Sequence, residues 1–200
     1  MGFFSLFRKQ KPDDVYRKIT QKIVLACLKY RIELQTQNNQ LSADGAAELA
    51  YLLLHLLDRS AFELLGDRRD IVFDTISQMV VSEYVKSVMK PDTPPSVTME
   101  VALRMMDDLN ARQVIYSQCK EFIGELAGPG TTVFAFCFFV HRALGNTVKT
   151  DADDILTGNR KVEMSEIGDM PEFETVHKDV MHLSALLVEL DLPTDLKLLI

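Results

Sequence analysis

A row of polar side chains on the second predicted helix is the strongest candidate for chemistry in this sequence. Its members recur at steps of four, three, four and three, which places them along one face of an α-helix: Asp44, Glu48, Tyr51, His55 and Asp58. An imidazole titrates near neutrality, so beside a carboxylate it can serve as a general acid or base, and both groups can ligate a metal ion. The candidate catalytic or ligand site is therefore Glu48, Tyr51, His55 and Asp58.

Two interpretations of this row are open. The simpler one is that it forms the narrow solvent-exposed stripe of a helix whose other faces are buried, and the many leucines between its members favour this. A binding or catalytic site is favoured instead if Glu48 and His55 are buried together with a polar group from another helix. The burial of these two side chains therefore decides between the interpretations.

A second pair, Cys137 and His141, stands four residues apart and so shares one side of a predicted helix. A thiolate and an imidazole at this spacing can ligate zinc or act as nucleophile and base. Zinc needs further ligands, however, and catalysis needs a third group that orients the base. We therefore predict a buried, inert thiol and a hydrogen-bonded histidine, and the sequence predicts neither a metal nor a cofactor.

The first eleven residues combine aromatic and basic side chains, as an amphipathic surface anchor does. The residues that would bind a membrane or partner are Phe3, Phe4, Phe7, Arg8, Lys9 and Lys11. Such a segment can dock on anionic lipid or on an acidic protein. The order of apolar residues and cations is the reverse of a secretory signal, and Leu6 breaks the myristoylation pattern. The alternative is that the segment packs on the domain or frays.

Charge is unevenly distributed along the 200 residues, whose net charge is −7. Residues 1–40 carry 8 basic and 3 acidic residues, whereas residues 151–200 carry 4 and 12. An acidic body argues against nucleic-acid binding, which depends on Lys and Arg displacing the counterions of phosphates. The basic front end predicts contacts with an anionic partner or with the acidic end of the chain itself.

Cysteine usage predicts the compartment. The three cysteines, Cys27, Cys119 and Cys137, form no CxxC pair, which is typical of the reducing cytoplasm. The longest apolar runs are much shorter than the about 18 residues that a membrane span needs. We expect a cytoplasmic protein, with membrane association through the N-terminal segment as the open possibility.

Helical periodicity dominates the elements that must position these side chains. Residues 133–144 are aromatic and β-branched enough for a strand, but a possible cap at Thr131 or Thr132 and the lack of a partner strand favour a buried helix. A shift in the apolar register near Asn110 predicts two helices or a kink there. The predicted fold class is all-α: a single-domain bundle of about six to eight helices with no secure strand.

Residues 1–11 are assigned to the N-terminal segment and residues 12–200 to the helical bundle domain. The proline-rich stretch 91–97 is the best candidate for an internal boundary. A single domain is preferred, because each half alone would bury much less of its surface.

Together these features predict a non-enzymatic cytoplasmic interaction or adaptor module. Its partners would be another protein, a second copy of the chain or an anionic membrane surface, and not nucleic acid. The alternative hypothesis is an all-α enzyme, or a protein that binds a small ligand or metal, with its polar site on the second helix.

Overall fold

The computed structural model describes residues 11–122, 129–145, 156–158 and 183–200. The helices are α1 (Pro12–Leu34), α2 (Ser42–Leu65), α3 (Arg69–Val88), α4 (Pro95–Gln118), α5 (Thr132–Ala143) and α6 (Leu192–Leu196), with short 3-10 turns at Gly66–Arg68 and Lys197–Leu199. Residues 183–190 are also helical. The described part of the chain contains no β-strand, and an isolated bridge joins Glu121 to Thr131. The all-α prediction is confirmed.

Helix α2 lies at the centre of the bundle, in contact with α1, α3, α4, α5 and α6. Its leucines are buried on several faces: Leu49, Leu52, Leu53, Leu54 and Leu57. A helix that is apolar on most sides is stable only when neighbours surround it, which explains its central place. The candidate boundary at residues 91–97 covers the junction between α3 and α4. These two helices pack against each other and against α2. The single-domain assignment itself stays a prediction.

Helix α5 forms where the sequence left a strand possible. Thr131 caps it, since its side-chain oxygen accepts a hydrogen bond from the backbone N–H of Phe134 at 3.2 Å. Every residue from 132 to 140 is buried. Burial on all sides suits the aromatic content of this segment, and the local cap outweighs its intrinsic preference for extended structure.

Helix α4 runs from Pro95 to Gln118 as one element, so the two-helix alternative near Asn110 is wrong, while the kink stays a prediction. Its buried residues lie in the second half and at its middle: Met105, Leu109, Ile115 and Tyr116. Near its start, Val97 and Met99 are exposed. The apolar register therefore shifts because the surroundings of the helix change along its length, while the backbone stays helical.

The three cysteines are buried, and none of them forms a disulfide. Burial raises the pKa of Cys27, so its thiol stays protonated at neutral pH. Among the described residues, no helix combines the length and apolarity that crossing a bilayer requires.

Two lysines of α1 hold the C-terminal end of the chain. Lys18 Nζ and Lys22 Nζ lie 2.7 Å and 2.5 Å from the two carboxylate oxygens of Asp195 in α6. Lys22 also donates a hydrogen bond to the carbonyl oxygen of Leu190 at 2.6 Å. Part of the basic excess at the front of the chain therefore contacts the chain's own acidic end.

We expect Asp195→Asn to lower the free energy of unfolding by about 1–3 kcal/mol at neutral pH, because an amide cannot replace two charge-assisted hydrogen bonds. Burial acts to raise the pKa of Asp195, but the hydrogen bonds from Lys18 and Lys22 outweigh it and hold this pKa below its usual range. The contribution is therefore present above the unfolded-state pKa of about 3.9, and it is lost as the pH falls through the folded-state value.

Urea unfolding of both proteins at several pH values checks this expectation, and the difference should shrink toward the acid end. Glu189→Gln is the matched control, because Glu189 lies 3.7 Å from Lys29 in a largely exposed pair. Its effect should stay within about 0.5 kcal/mol. A deficit of Asp195→Asn that does not change with pH would contradict the assignment.

Candidate functional site

Three members of the predicted polar row are buried in the interface between α2 and α4. Glu48 is 4 % exposed, Tyr51 3 % and His55 3 %, whereas Asp58 is half-buried and Asp44 is exposed. The interpretation as a solvent-exposed stripe is wrong for the three central residues, because polar side chains of α4 contact this face of α2. The burial of Glu48 and His55 beside them favours the interpretation as a site.

Glu48 forms a two-point ion pair with Arg112 of α4. Arg112 Nε donates to Glu48 Oε2 at 2.9 Å and Nη2 donates to Oε1 at 2.8 Å. The guanidinium carbon lies 3.8 Å from the centre of the Phe139 ring in α5. This stacking and the paired hydrogen bonds fix the guanidinium plane.

Burial and pairing act in opposite directions on this ion pair. Burial raises the pKa of Glu48, and the hydrogen bonds and charge of Arg112 bring it partly back down. For Arg112, burial acts to lower the pKa, but the bonds to Glu48 outweigh it and the pKa is raised. Arg112 therefore keeps its positive charge, although most of its side chain is buried.

His55 lies in a separate polar cluster of the same interface. His55 Nδ1 is 2.8 Å from Oε1 of Gln113 in α4, which we assign as an N–H donating to the amide oxygen. Burial lowers the pKa of His55, and the bond to Gln113 opposes this only in part. The imidazole is therefore neutral at physiological pH. Its ring centre lies 5.3 Å from that of Tyr116.

The hydroxyl of Tyr116 is buried and has no hydrogen-bond partner among the described residues. Since an unsatisfied buried hydroxyl costs about 1–3 kcal/mol, we expect Tyr116→Phe to stabilise the protein by about 1 kcal/mol. For a chain of this size the melting temperature would rise by about 2–4 °C.

Tyr84→Phe is the matched control, because the Tyr84 hydroxyl donates to the carbonyl oxygen of Ala43 at 2.6 Å. Losing that bond should lower the stability by about 1 kcal/mol, so the two substitutions should have opposite signs in thermal unfolding. Destabilisation by Tyr116→Phe would mean that its hydroxyl is hydrogen-bonded.

Asp58 does not join the other members of the row. Both of its carboxylate oxygens accept hydrogen bonds from Arg69 at the start of α3, at 2.7 Å and 2.6 Å. The guanidinium of Arg69 also lies over the Phe62 ring, 5.7 Å from its centre. Asp58 therefore joins the end of α2 to α3, and it is structural rather than part of the site.

A pocket of about 430 Å³ opens beside the Glu48–Arg112 pair, between α2, α3, α4 and α5. This volume lies within the range of about 300–1,000 Å³ that is usual for small-molecule pockets. Its charged lining residues are Asp44, Glu48, Arg104, Asp108, Arg112 and Arg142. Part of its wall is apolar and comes from Val85, Val88, Val101 and Met105.

The chain matches no protein-family model, no curated protein and no solved structure.

Two phenols complete the pocket wall: Tyr51 from α2 and Tyr84 from α3. Burial raises the pKa of both hydroxyls far above neutrality, so both are uncharged hydrogen-bonding groups. The Tyr84 hydroxyl is engaged by Ala43. Of the four predicted site residues, Glu48 and Tyr51 line the pocket. The exposed Asp44, the first member of the polar row, lines it as well.

Glu48 is one of the side chains that the sequence offers as a possible metal ligand. Both of its oxygens accept hydrogen bonds from Arg112. Within the ranges that the structure describes, no group of three or more His, Cys, Asp or Glu side chains is arranged to hold a metal ion. The Glu48–His55 spacing therefore corresponds to two different polar contacts with α4.

The other predicted residues lie apart from this pocket. Cys137 is buried on α5, and His141 is half-buried one turn later, where burial lowers its pKa. Of the N-terminal segment, only Lys11 belongs to the described residues, and it is exposed next to the start of α1. Phe3, Phe4, Phe7, Arg8 and Lys9 lie outside the described residues.

Sequence reasoning missed the α4 side of the site. Arg104, Asp108 and Arg112 follow one another at steps of four, which is a polar row on one helical face. The apolar methionines of the same helix give a stronger pattern, which masks this polar row. Phe139 carried no signal, because one phenylalanine in an aromatic run does not reveal a cation above its ring.

Proposed function

We propose that this chain is a helical binding module that holds a small polar molecule in the pocket between α2, α3, α4 and α5. The observation that carries this proposal is the buried Glu48–Arg112 pair in the wall of a pocket with four further charged residues. Buried ion pairs are weak contributors to stability, because desolvation offsets their attraction. A charged pair at a pocket wall is better explained by recognition of a polar ligand.

The chemistry of the wall supports binding more than catalysis. Glu48 is held at both oxygens by Arg112, so it is poorly placed to take a proton from a substrate. His55 is bonded to Gln113 and is not among the residues that line the pocket. The enzyme hypothesis therefore has less support than ligand binding at the same place.

A ligand screen with a blocked pocket tests the proposal. Small polar metabolites are screened by thermal shift on the whole chain, and each compound that stabilises it is titrated by calorimetry. The blocking variant is Ala143→Phe, because Ala143 lines the pocket and is only half-buried. The control is Ala111→Phe, which places the same ring at an exposed position of α4 outside the pocket.

We expect the stabilising compounds to lose at least about tenfold in affinity for Ala143→Phe, which corresponds to about 1.4 kcal/mol. They should bind Ala111→Phe as they bind the wild type. The proposal is overturned if no compound stabilises the wild type, or if Ala143→Phe binds every such compound equally well.

The interaction-module hypothesis stays a prediction, and its membrane-docking part depends on residues 1–11. Co-sedimentation of the chain with anionic vesicles, with and without those residues, tests the membrane part of it. Equal partitioning of the two forms would contradict docking through the segment.

A further inference from the structure

The charged groups of the pocket balance in sign. Glu48 and Arg112 neutralise each other through their two hydrogen bonds. The other four are Asp44, Arg104, Asp108 and Arg142. None of these four makes a hydrogen bond through its side chain or an ion pair with another described residue. Two cationic and two anionic groups are thus available at the pocket.

Two of these groups, Asp108 and Arg142, affect the pKa values of buried side chains in the pocket wall. Burial and Arg112 have the largest effects on the pKa of Glu48, after which Asp108 raises it and Arg142 lowers it. Asp108 also adds to the burial that raises the pKa of Tyr51. Charges of both signs, from α4 and from α5, therefore act within the same small volume.

A ligand with a single charge would be attracted by one pair of these groups and repelled by the other. A molecule with one charge of each sign avoids this conflict, because a guanidinium binds a carboxylate well and a carboxylate binds an ammonium. The apolar wall of Val85, Val88, Val101 and Met105 would contact a hydrocarbon portion of the ligand.

We infer that the ligand is a small zwitterion that carries an ammonium, a carboxylate and an apolar side chain, the chemistry of an α-amino acid or a dipeptide. Arg104 and Arg142 bind its carboxylate, and Asp44 and Asp108 bind its ammonium. The pocket of about 430 Å³ suits this size. The inference rests on the proposed function and names the ligand class for the same pocket.

Calorimetry with four related probes tests the ligand class on the whole chain. L-leucine and L-leucyl-L-leucine carry both charges, N-acetyl-L-leucine lacks the ammonium, and L-leucinamide lacks the carboxylate. We expect at least one of the two zwitterions to bind. We also expect both singly charged analogues to bind at least about tenfold more weakly, a difference of about 1.4 kcal/mol.

Substitutions then assign the two ends of the ligand. Arg104→Gln should weaken the zwitterion by at least about tenfold. It should not weaken the residual binding of L-leucinamide, because that probe has no carboxylate and its positive charge is repelled by Arg104. Arg59→Gln is the control, since Arg59 is exposed on α2 and does not line the pocket. It should bind every probe as the wild type does.

The inference is overturned if N-acetyl-L-leucine or L-leucinamide binds as tightly as the zwitterions, or if none of the four probes binds. Either result leaves the proposed function to its own test. Compounds of another class that bind the wild type and fail to bind Ala143→Phe would preserve the pocket as a ligand site and refute only the zwitterion.

Discussion

Replacing Arg112 by methionine is expected to lower the free energy of unfolding by about 3–5 kcal/mol. Methionine retains much of the volume that packs on Phe139, but it leaves the Glu48 carboxylate buried without its cation. An unpaired buried charge costs far more than the net worth of the pair. The measurement is urea unfolding of wild type and variant at neutral pH.

The pH dependence of this loss has a defined sign. Arg112 lowers the pKa of Glu48, so its removal moves the folded-state pKa further above the unfolded value of about 4.3. A group whose pKa is raised by folding destabilises the native state increasingly as the pH rises, and it does no harm below the unfolded-state pKa. The deficit of Arg112→Met should therefore be smaller near pH 5 than near pH 8.

Two further variants separate this effect from general damage to α4. Glu48→Leu combined with Arg112→Met removes both charges, and its stability should return to the wild-type value or exceed it. Arg104→Met makes the same change on an exposed residue of the same helix and should cost less than about 0.5 kcal/mol. A loss below about 1 kcal/mol for Arg112→Met would show that the ion pair is not buried as described.

The fold class was predictable because local signals agreed. Apolar residues at helical spacing and a possible cap at Thr131 or Thr132 both favoured helices. The residues of α5 were ambiguous only by composition, and the cap predicted the outcome. The two-helix alternative at Asn110 was wrong, because a shift in the register of apolar residues can also result from a change of packing partner along one helix.

The candidate site was only half predictable, because its partners are distant in sequence. The spacing on α2 placed Glu48, Tyr51 and His55 on one face, but it did not reveal whether water or another helix covers that face. Arg112 is 64 residues from Glu48, and Gln113 is 58 residues from His55. Pairings over such distances depend on how the helices pack, which periodicity alone does not determine.

The charge distribution was informative in a coarser way. It indicated that the basic front and the acidic end of the chain could meet. It did not indicate that Asp195, one of 12 acidic residues in the last quarter, would be buried. Burial of that carboxylate depends on where α6 packs against α1 and α2.

Gly158→Ala is expected to destabilise the protein by about 2–5 kcal/mol. Gly158 has a φ of +70°, and a Cβ there would lie 3.0 Å from the Cα of Gly130 and 3.5 Å from the carbonyl oxygen of Pro129. The left-handed conformation costs an alanine about 1–2 kcal/mol, and the backbone overlap adds about 1–3 kcal/mol. The neighbouring Gly130 N–H, which donates to the Leu156 carbonyl oxygen at 2.9 Å, would be displaced with it.

Gly66→Ala is the comparison without steric overlap, because Gly66 also has a positive φ, +54°, and its Cβ would meet nothing within 4 Å. Its loss should be smaller than that of Gly158→Ala, because no backbone atom is displaced. Thermal unfolding should show the same order, at about 2–4 °C per kcal/mol for a chain of this length. Equal losses for the two variants would mean that the backbones around Gly130 and Gly158 can move apart at no cost. The close contact between these two glycines, which lies next to the start of α5, would then not contribute to stability.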